Sequence, residues 1–396
     1  MPSRQGHGDL ATERELMTDV VNIFILIDGL GWEWIKRSTF LSQIAPYRRP
    51  LKTVLGFSAG AIPSILTGRY PEDHGRMAMY RLAEKGESPF RHLKWLCALH
   101  PSLVENRYFR HALQAAMQRF GGIRGYFNLY GIPLRYLPLL DVGEKADIYR
   151  PGGIPEATSI FDRLEADRIL FYSYSYRQGS DQQIVELARK DIAKGEARFF
   201  FIYLAQIDAH LHAHANDRNS FEGILTRYET WLNHLYSVAA AHYSKVRFHV
   251  FSDHGMAPTR RTIDIEAILG PLELVAPRDY LYLLDSTMAR FWFHSDRARS
   301  LVTEALARNA PGHWLGEIEL VSLRAAFGDR RYGEAIFLLP EGCVIAPSHM
   351  GRKAPQGMHG FHPNEAHSYA AILSSEDYSD RPNHITDIYR IMNESV

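Results

Sequence analysis

Hydrophobic positions along this chain fall into runs of two kinds. The first is continuous and rich in β-branched and aromatic residues: VVNIFILI leading into Asp28, Ile169–Ser175, ARFFFIYLAQID at 197–208 and KVRFHVFSDHG at 245–255. Runs that stay apolar on both faces fit strands covered on both sides, as in parallel sheets. Further strands are expected at Leu51–Phe57, Ala289–Phe293, Glu334–Leu339 and Ser368–Leu373. The second kind reads as helical: Trp32–Ile44, Ser58–Thr67, Ile160–Asp167, Gln182–Ala193, Phe221–Tyr243, Arg297–Asn309 and His384–Met392. Gly68 fits the residue just past the end of the Ser58 helix. Strands alternating with helices predict an α/β sandwich with a mostly parallel central sheet.

Residues 84–150 differ in character. Aromatic and basic residues crowd there (Phe90, Arg91, His92, Trp95, then Arg107 to Arg124) and no core strand is evident, so the stretch reads as a helical cap or insertion. The expected organisation is a polar N-terminal extension, 1–19, followed by one domain, 20–396, that carries the insertion at 84–150.

Composition narrows the partners. Forty-five Lys+Arg balance forty-five Asp+Glu, which gives no support for a nucleic-acid-coating surface. The run from Val20 to Ile27 is too short to span a bilayer and lacks the flanks of a signal peptide, so no membrane span is expected and the cytoplasm is the expected compartment. Cys97 and Cys343 lie far from any C-x-x-C spacing, against a disulfide framework or a zinc–thiolate site.

The candidate chemistry lies where the predicted strands end. Asp28, Asp208 and Asp253 each close an apolar run, and ligands of open α/β sheets gather at the carboxyl ends of strands. An aspartate at such a place is also a good turn former or helix cap. Two of the three, however, have histidine at useful spacing. Asp208 and His212 are four apart, one face of a helix, and Asp253–His254 is followed by Gly255, which frees the backbone to bend. His359 sits between glycines in GMHGFH, a poor core setting. His210, His214 and His362 read as surface or outer groups. Carboxylate and imidazole ligands without thiolate suit Zn2+, with Mn2+ or Mg2+ as alternatives. Ser58, at a helix N-terminus, is placed to meet an anionic phosphate and would need metal activation to act as a nucleophile.

The segment 57–75, FSAGAIPSILTGRYPEDHG, resembles the nucleophile helix of the alkaline phosphatase superfamily, above all its type I phosphodiesterase/nucleotide pyrophosphatase branch. The family's T-G-x-x-P-x-x-H-G is Thr67 to Gly75, and its nucleophile, ten residues before the first glycine, falls on Ser58. Its opening Asp-Gly resembles Asp28-Gly29, its D-x-x-x-H Asp208 to His212, its S-D-H-G-M Ser252 to Met256, and its G-x-H-G Gly357 to Gly360. The resemblance implies an alkaline-phosphatase-like three-layer sandwich with two metal sites: Asp28, Asp253, His254 and the Ser58 oxygen in one, Asp208, His212 and His359 in the other. It implies hydrolysis of a small-molecule phosphoester through a phosphoseryl intermediate, as a phosphodiesterase or nucleotide-pyrophosphatase-like enzyme. The same site would serve a phosphomonoesterase or a phospho-group transferase. A sulfatase is disfavoured because Gly60 and Ile62 break the C/S-x-P-x-R maturation signal, and a non-catalytic binding protein because no ligand is missing. The asparagine that the branch often places after the His-Gly is absent from Arg76 to Leu82, where Arg76 could partly substitute.

Overall fold

A computed structural model describes residues 20–98, 106–378 and 382–396. The expected extension, 1–19, lies outside the described residues. Six strands form the central sheet, in the spatial order Tyr47–Leu51, Ala370–Ser374, Lys245–Phe251, Val20–Ile27, Phe199–Leu204 and Phe171–Tyr174. Val20–Ile27 pairs in parallel with both Phe199–Leu204 and Lys245–Phe251, and Phe171–Tyr174 extends the parallel set. Ala370–Ser374 runs antiparallel to its two neighbours.

Alternation along these strands builds two cores. Val21, Ile23, Ile25 and Ile27, with Phe200, Ile202 and Leu204, face helices Asp181–Ile192 and Arg218–His242. Phe24 and Leu26, with Phe199, Phe201 and Tyr203, face helices Ser58–Thr67, Ile160–Ala166 and Asp387–Asn393. The continuous apolar runs are explained by this double covering, and helix–sheet–helix layering is the three-layer α/β sandwich expected.

Two expected elements are corrected. Trp32–Ile44 is helical only over Trp32–Ile35. Arg48 donates to the carbonyls of Ser38 and Phe40 at 2.6 and 2.7 Å, and Leu41 takes a positive φ of 55°, so the chain turns instead of coiling. The strand expected at Leu51–Phe57 lies at Tyr47–Leu51. It is an edge strand, where Pro50 costs no ladder bond to a second neighbour, and the residues after it bend into the site.

A second, four-stranded antiparallel sheet orders Tyr280–Leu284, Met288–Phe293, Ala335–Leu338 and His313–Trp314. The chain between helix Ser58–Thr67 and Ile160 leaves and returns at one place. Tyr80–Leu82 pairs antiparallel with Leu140–Val142, so residues 83–139 form an excursion closed by a short ladder. Its helix, Arg107–Phe120, is capped by Asn106, whose side chain accepts from the Tyr108 N–H. Phe90, Phe127, Leu134 and Tyr136 pack it onto Leu281, Leu283 and Trp292 of the second sheet.

His249, fully buried in Lys245–Phe251, stacks on Phe24 at 4.7 Å and meets the Ser374 hydroxyl at 3.1 Å. Burial first, and Arg247 second, hold its pKa down to about 3. A histidine neutral in the fold but protonated in the unfolded chain contributes stability above pH 6.5, and that contribution is lost as pH falls from 6.5 towards 3. Unfolding free energy of His249→Phe should therefore fall less steeply with acid, by about 1.4 kcal/mol per pH unit across pH 6 to 4.5. Parallel urea titrations of the two proteins read this slope; equal slopes would contradict the assignment.

Candidate active site

Asp28 is the residue after Val20–Ile27, and its N–H donates to the Leu204 carbonyl at 2.9 Å, which fixes it level with the end of the neighbouring strand. Gly29 follows at φ 70°, and a Cβ there would lie 3.1 Å from the Asp208 Cα. Only glycine both takes that conformation easily and lets Asp28 and Asp208 come so close. Asp208 itself belongs to helix Gln206–His214, which starts two residues after Phe199–Leu204. The helical turn carries His212 to the same face, its Nε2 3.2 Å from Asp208 Oδ2.

Asp253 and His254 follow Lys245–Phe251 and are both buried. The Ser252 hydroxyl donates to the Leu30 carbonyl at 2.8 Å, and the Thr53 hydroxyl donates to the Asp253 carbonyl at 2.7 Å. These bonds pin the loop against the first strand's turn. Gly31 and Gly255 meet back to back: a Cβ on Gly31 would come 2.7 Å from the Gly255 Cα.

Two ligand groups result. Asp28, Asp253 and His254 form one, and Asp208, His212 and His359 the other; within each, one donor atom per residue lies within 4.8 Å of the rest. His254 Nε2 is 3.3 Å from Asp28 Oδ1, 3.2 Å from Asp253 Oδ2 and 2.9 Å from the Ser58 hydroxyl. His359 lies 3.7 Å from Asp208 Oδ1, with its ring stacked on His254 at 3.7 Å and 9°. That stack is the wall the two groups share. All seven residues singled out from the sequence therefore lie together. His210 contacts Ser220 (3.2 Å) and His214 instead, and His362 faces Glu319 at 3.5 Å.

The donor set fits divalent cations. Asp28 Oδ1, Asp208 Oδ1 and Asp253 Oδ2 are buried and have no hydrogen-bond partner, a costly state for carboxylates unless a cation meets them. Carbonyls can only accept, so His254 Nδ1 donates to Gly255 O at 2.9 Å and His212 Nδ1 to Gly357 O at 2.8 Å. In the neutral rings each Nε2 then keeps its lone pair for the site, the usual arrangement of a metal-ligating histidine.

Electrostatics agree. Burial, then Asp253 and Asp208, drive Asp28 well above the carboxylate range, and burial with Asp208 lifts Asp253 to about 7. Burial would also raise Asp208, but His212 and His359 outweigh it and hold it low. Burial would lower His212, yet Asp208 raises it to about 9, while burial and His254 keep His359 far below its usual value. A dication between these carboxylates removes the repulsion that drives them towards protonation and competes with the His212 proton.

Sequence reasoning missed the aromatic wall. The Tyr203 hydroxyl donates to Asp28 Oδ2 at 2.5 Å. Tyr149 stacks on Tyr203 at 5.2 Å, and Tyr176 stands edge-on to both Tyr149 and Tyr126. A tyrosine inside FFFIYL, whose side alternates with Phe200 and Ile202, was the only available signal. Tyr126 and Tyr176 also line a cavity of about 570 Å3 together with Gln114, Gln118, Asn128 and Arg177. A cavity of about 600 Å3 at the far end of the Ser58 helix, lined by Thr67, Arg69 and Asp73, includes none of the seven ligands. Arg76 is buried, and its recorded partners are Gly153 O at 3.1 Å and Glu156 at 3.6 Å rather than any site residue.

Comparison with known proteins places this geometry. A family model described as type I phosphodiesterase / nucleotide pyrophosphatase matches residues 22–362. None of the curated protein sequences compared with the chain matches it. Among solved structures, human ectonucleotide pyrophosphatase/phosphodiesterase 5 is similar at 14% identity and TM-score 0.65, covering 94% of each chain. An inactive variant of the murine protein, in complex with AMP, is similar at 15% identity and TM-score 0.64, covering 95% of this chain and 94% of its own. Phosphonoacetate hydrolase from Sinorhizobium meliloti, in complex with phosphonoformate, shows 14% identity and TM-score 0.62 over 96% of each chain.

Replacing Tyr203 by Phe removes the bond that orients Asp28 without opening a cavity. Outer partners of metal ligands typically carry ten-fold or more in affinity. Competition with a chromogenic chelator should show divalent-metal affinity about 10-fold weaker in Tyr203→Phe, with the melting temperature of the metal-free protein little changed; unaltered affinity would refute the role.

Proposed function

This chain belongs to the type I phosphodiesterase/nucleotide pyrophosphatase family and is a phosphoester hydrolase, and on that footing we propose which of its residues carry the reaction. Ser58 is the nucleophile. One ion is held by Asp28, Asp253, His254 and the Ser58 oxygen, the other by Asp208, His212 and His359. The observation that carries this reading is the Ser58 hydroxyl, 2.9 Å from His254 Nε2 at the meeting point of two ligand groups. The family is metal-dependent, and three imidazoles among the donors favour zinc over magnesium. Divalent ions held there would polarise the phosphoryl oxygens and lower the pKa of the serine hydroxyl and of the hydrolytic water.

The chain's own groups do the rest. The Ser58 oxygen forms the new bond to phosphorus as the bond to the leaving alcohol breaks on the opposite side. A phosphoserine is left, and water then attacks its phosphorus and restores the hydroxyl. The first turn of helix Ser58–Thr67 directs the positive end of its dipole at the phosphoryl group. Tyr203 and the backbone acceptors on His212 and His254 hold the ligands in orientation. The organic part of the substrate lies along Tyr149, Tyr176 and Tyr126 towards the adjoining cavity. A monoester or transfer reaction on the same site is the second reading, supported by the lack of asparagine in Arg76 to Leu82.

Ser58→Ala should lower turnover by about 10^3-fold or more while bound metal stays near the wild-type amount. Full activity in that variant would end the nucleophile assignment. Asp253→Ala and His359→Ala should instead lose metal, read by elemental analysis after gel filtration. Rates on the bis- and mono-nitrophenyl phosphates separate the two readings: preference for the bis-ester supports the phosphodiesterase, and preference for the mono-ester replaces it with the second. Restoration of the chelated enzyme by manganese alone would correct the metal.

A further inference from the structure

The chain's overall charge balance conceals a local asymmetry. Between residues 88 and 135 there are seven Lys/Arg (91, 94, 107, 110, 119, 124, 135) and one acidic residue, Glu105. Helix Arg107–Phe120 contains no acidic residue at all. Aromatic exposure concentrates in the same stretch. Among the described residues the exposed aromatic side chains are Tyr47, Trp95, Tyr108, Phe120 and Tyr126, and four of these five lie in the excursion.

The helix has two distinct faces. Leu113 and Met117 turn inward, and Arg110 reaches in to donate to the carbonyls of Tyr130 and Ile132. The opposite stripe is Tyr108, Ala112, Ala115 and Arg119, at spacings of four, three and four, and all are exposed. Phe120 follows, 85% exposed, beside the Arg119 guanidinium at 5.8 Å from its ring centre. A helix that faces only water normally carries mixed charges on its outer side. This one shows no carboxylate; beside the stripe its other exposed residues are His111, Ala116 and Gln118. The Arg91–Ala98 turn adds exposed Arg91, Lys94 and Trp95.

We propose that this face of the excursion docks on an anionic lipid bilayer. Aromatic rings with one apolar and one wet edge settle at headgroup depth, and clustered Lys/Arg are drawn to anionic headgroups. A peripheral contact of this kind requires no spanning helix, and among the described residues no helix is long and apolar enough to cross a membrane. The charge complementarity selects the bilayer over a second copy of this chain, whose matching face would be equally basic. The contact does not depend on the phosphoester chemistry, so it is tested by binding.

Flotation of the full chain with vesicles of phosphatidylcholine, with and without phosphatidylglycerol, is the direct experiment. Binding should require the anionic lipid and weaken with salt. Reversing three charges (Arg91→Glu, Lys94→Glu, Arg119→Glu) should lower affinity for anionic vesicles by about 100-fold or more. Trp95→Ala with Tyr108→Ala and Phe120→Ala should also release the protein, leaving salt-sensitive residual binding. Both variants should keep the wild-type circular dichroism spectrum and melting temperature, and the wild-type rate on a soluble nitrophenyl ester. No binding to anionic vesicles at low salt, or equal binding by wild type and charge-reversed protein, would overturn the proposal. Loss of a wild-type dimer in the aromatic variant, without vesicle binding by either protein, would assign the face to a second copy.

Discussion

Three aspartates converge at one edge of the central sheet, and the rest of the site is arranged around the repulsion between them. Two like charges about 4 Å apart oppose each other by some 4 kcal/mol even at an effective dielectric near 20. The fold sets Asp28 and Asp253 in a buried place with few donors, where burial, with Asp253 and Asp208 acting on Asp28 and Asp208 acting on Asp253, pushes both towards the neutral form. Such a cluster is tolerable when positive charge enters it. With Nδ1 of His212 and His254 tied to backbone carbonyls, each Nε2 faces the carboxylates, and Tyr203 steadies one of them, so the cluster is arranged to receive a cation.

The parallel sheet explains how residues so far apart in sequence arrive together. Strands that run the same way end at the same edge, and the first residues after Val20–Ile27, Phe199–Leu204 and Lys245–Phe251 all emerge there. Helix Ser58–Thr67 approaches that edge from one face of the sheet, and the loop holding His359 completes it. The second sheet and the 83–139 excursion contribute no ligand. Of the tyrosine wall the excursion supplies only Tyr126, while Tyr203 belongs to the central sheet and Tyr149 and Tyr176 to the segments leading to and from Phe171–Tyr174; the excursion also lines much of the adjoining cavity.

Much of this was legible in the chain. Strands covered on both faces announce themselves as uninterrupted apolar runs, and the polar residue that ends each run is conspicuous by contrast. The Ser58 helix was readable to its last residue because Gly68 takes the left-handed conformation, φ 67°, that closes it. Elements set by distant partners were not readable. Arg48 ends the helix after Ile35 from outside that segment. Tyr280–Leu284 forms a strand only because Met288–Phe293 folds back on it. Tyr203 looked like one more apolar strand residue, since its hydroxyl finds a purpose only when Asp28 arrives from another strand. The basic, aromatic character of residues 84–150 was legible, but not which of those side chains the fold leaves on the outside, because that depends on packing against the distant second sheet.

The back-to-back contact of Gly31 with Gly255 has a bearing on how such a protein can change. A methyl group on Gly31 would push against the Gly255 main chain and wedge apart the two loops that hold Asp28 and Asp253, whereas one on Gly255 would run into the carbonyls of His367 and Tyr369. Each of these side chains would meet main chain, Gly31 that of Gly255 and Gly255 that of His367 and Tyr369, so changing both glycines together relieves neither clash. Variation is thereby directed elsewhere, while the main-chain packing that joins the two aspartate loops stays fixed.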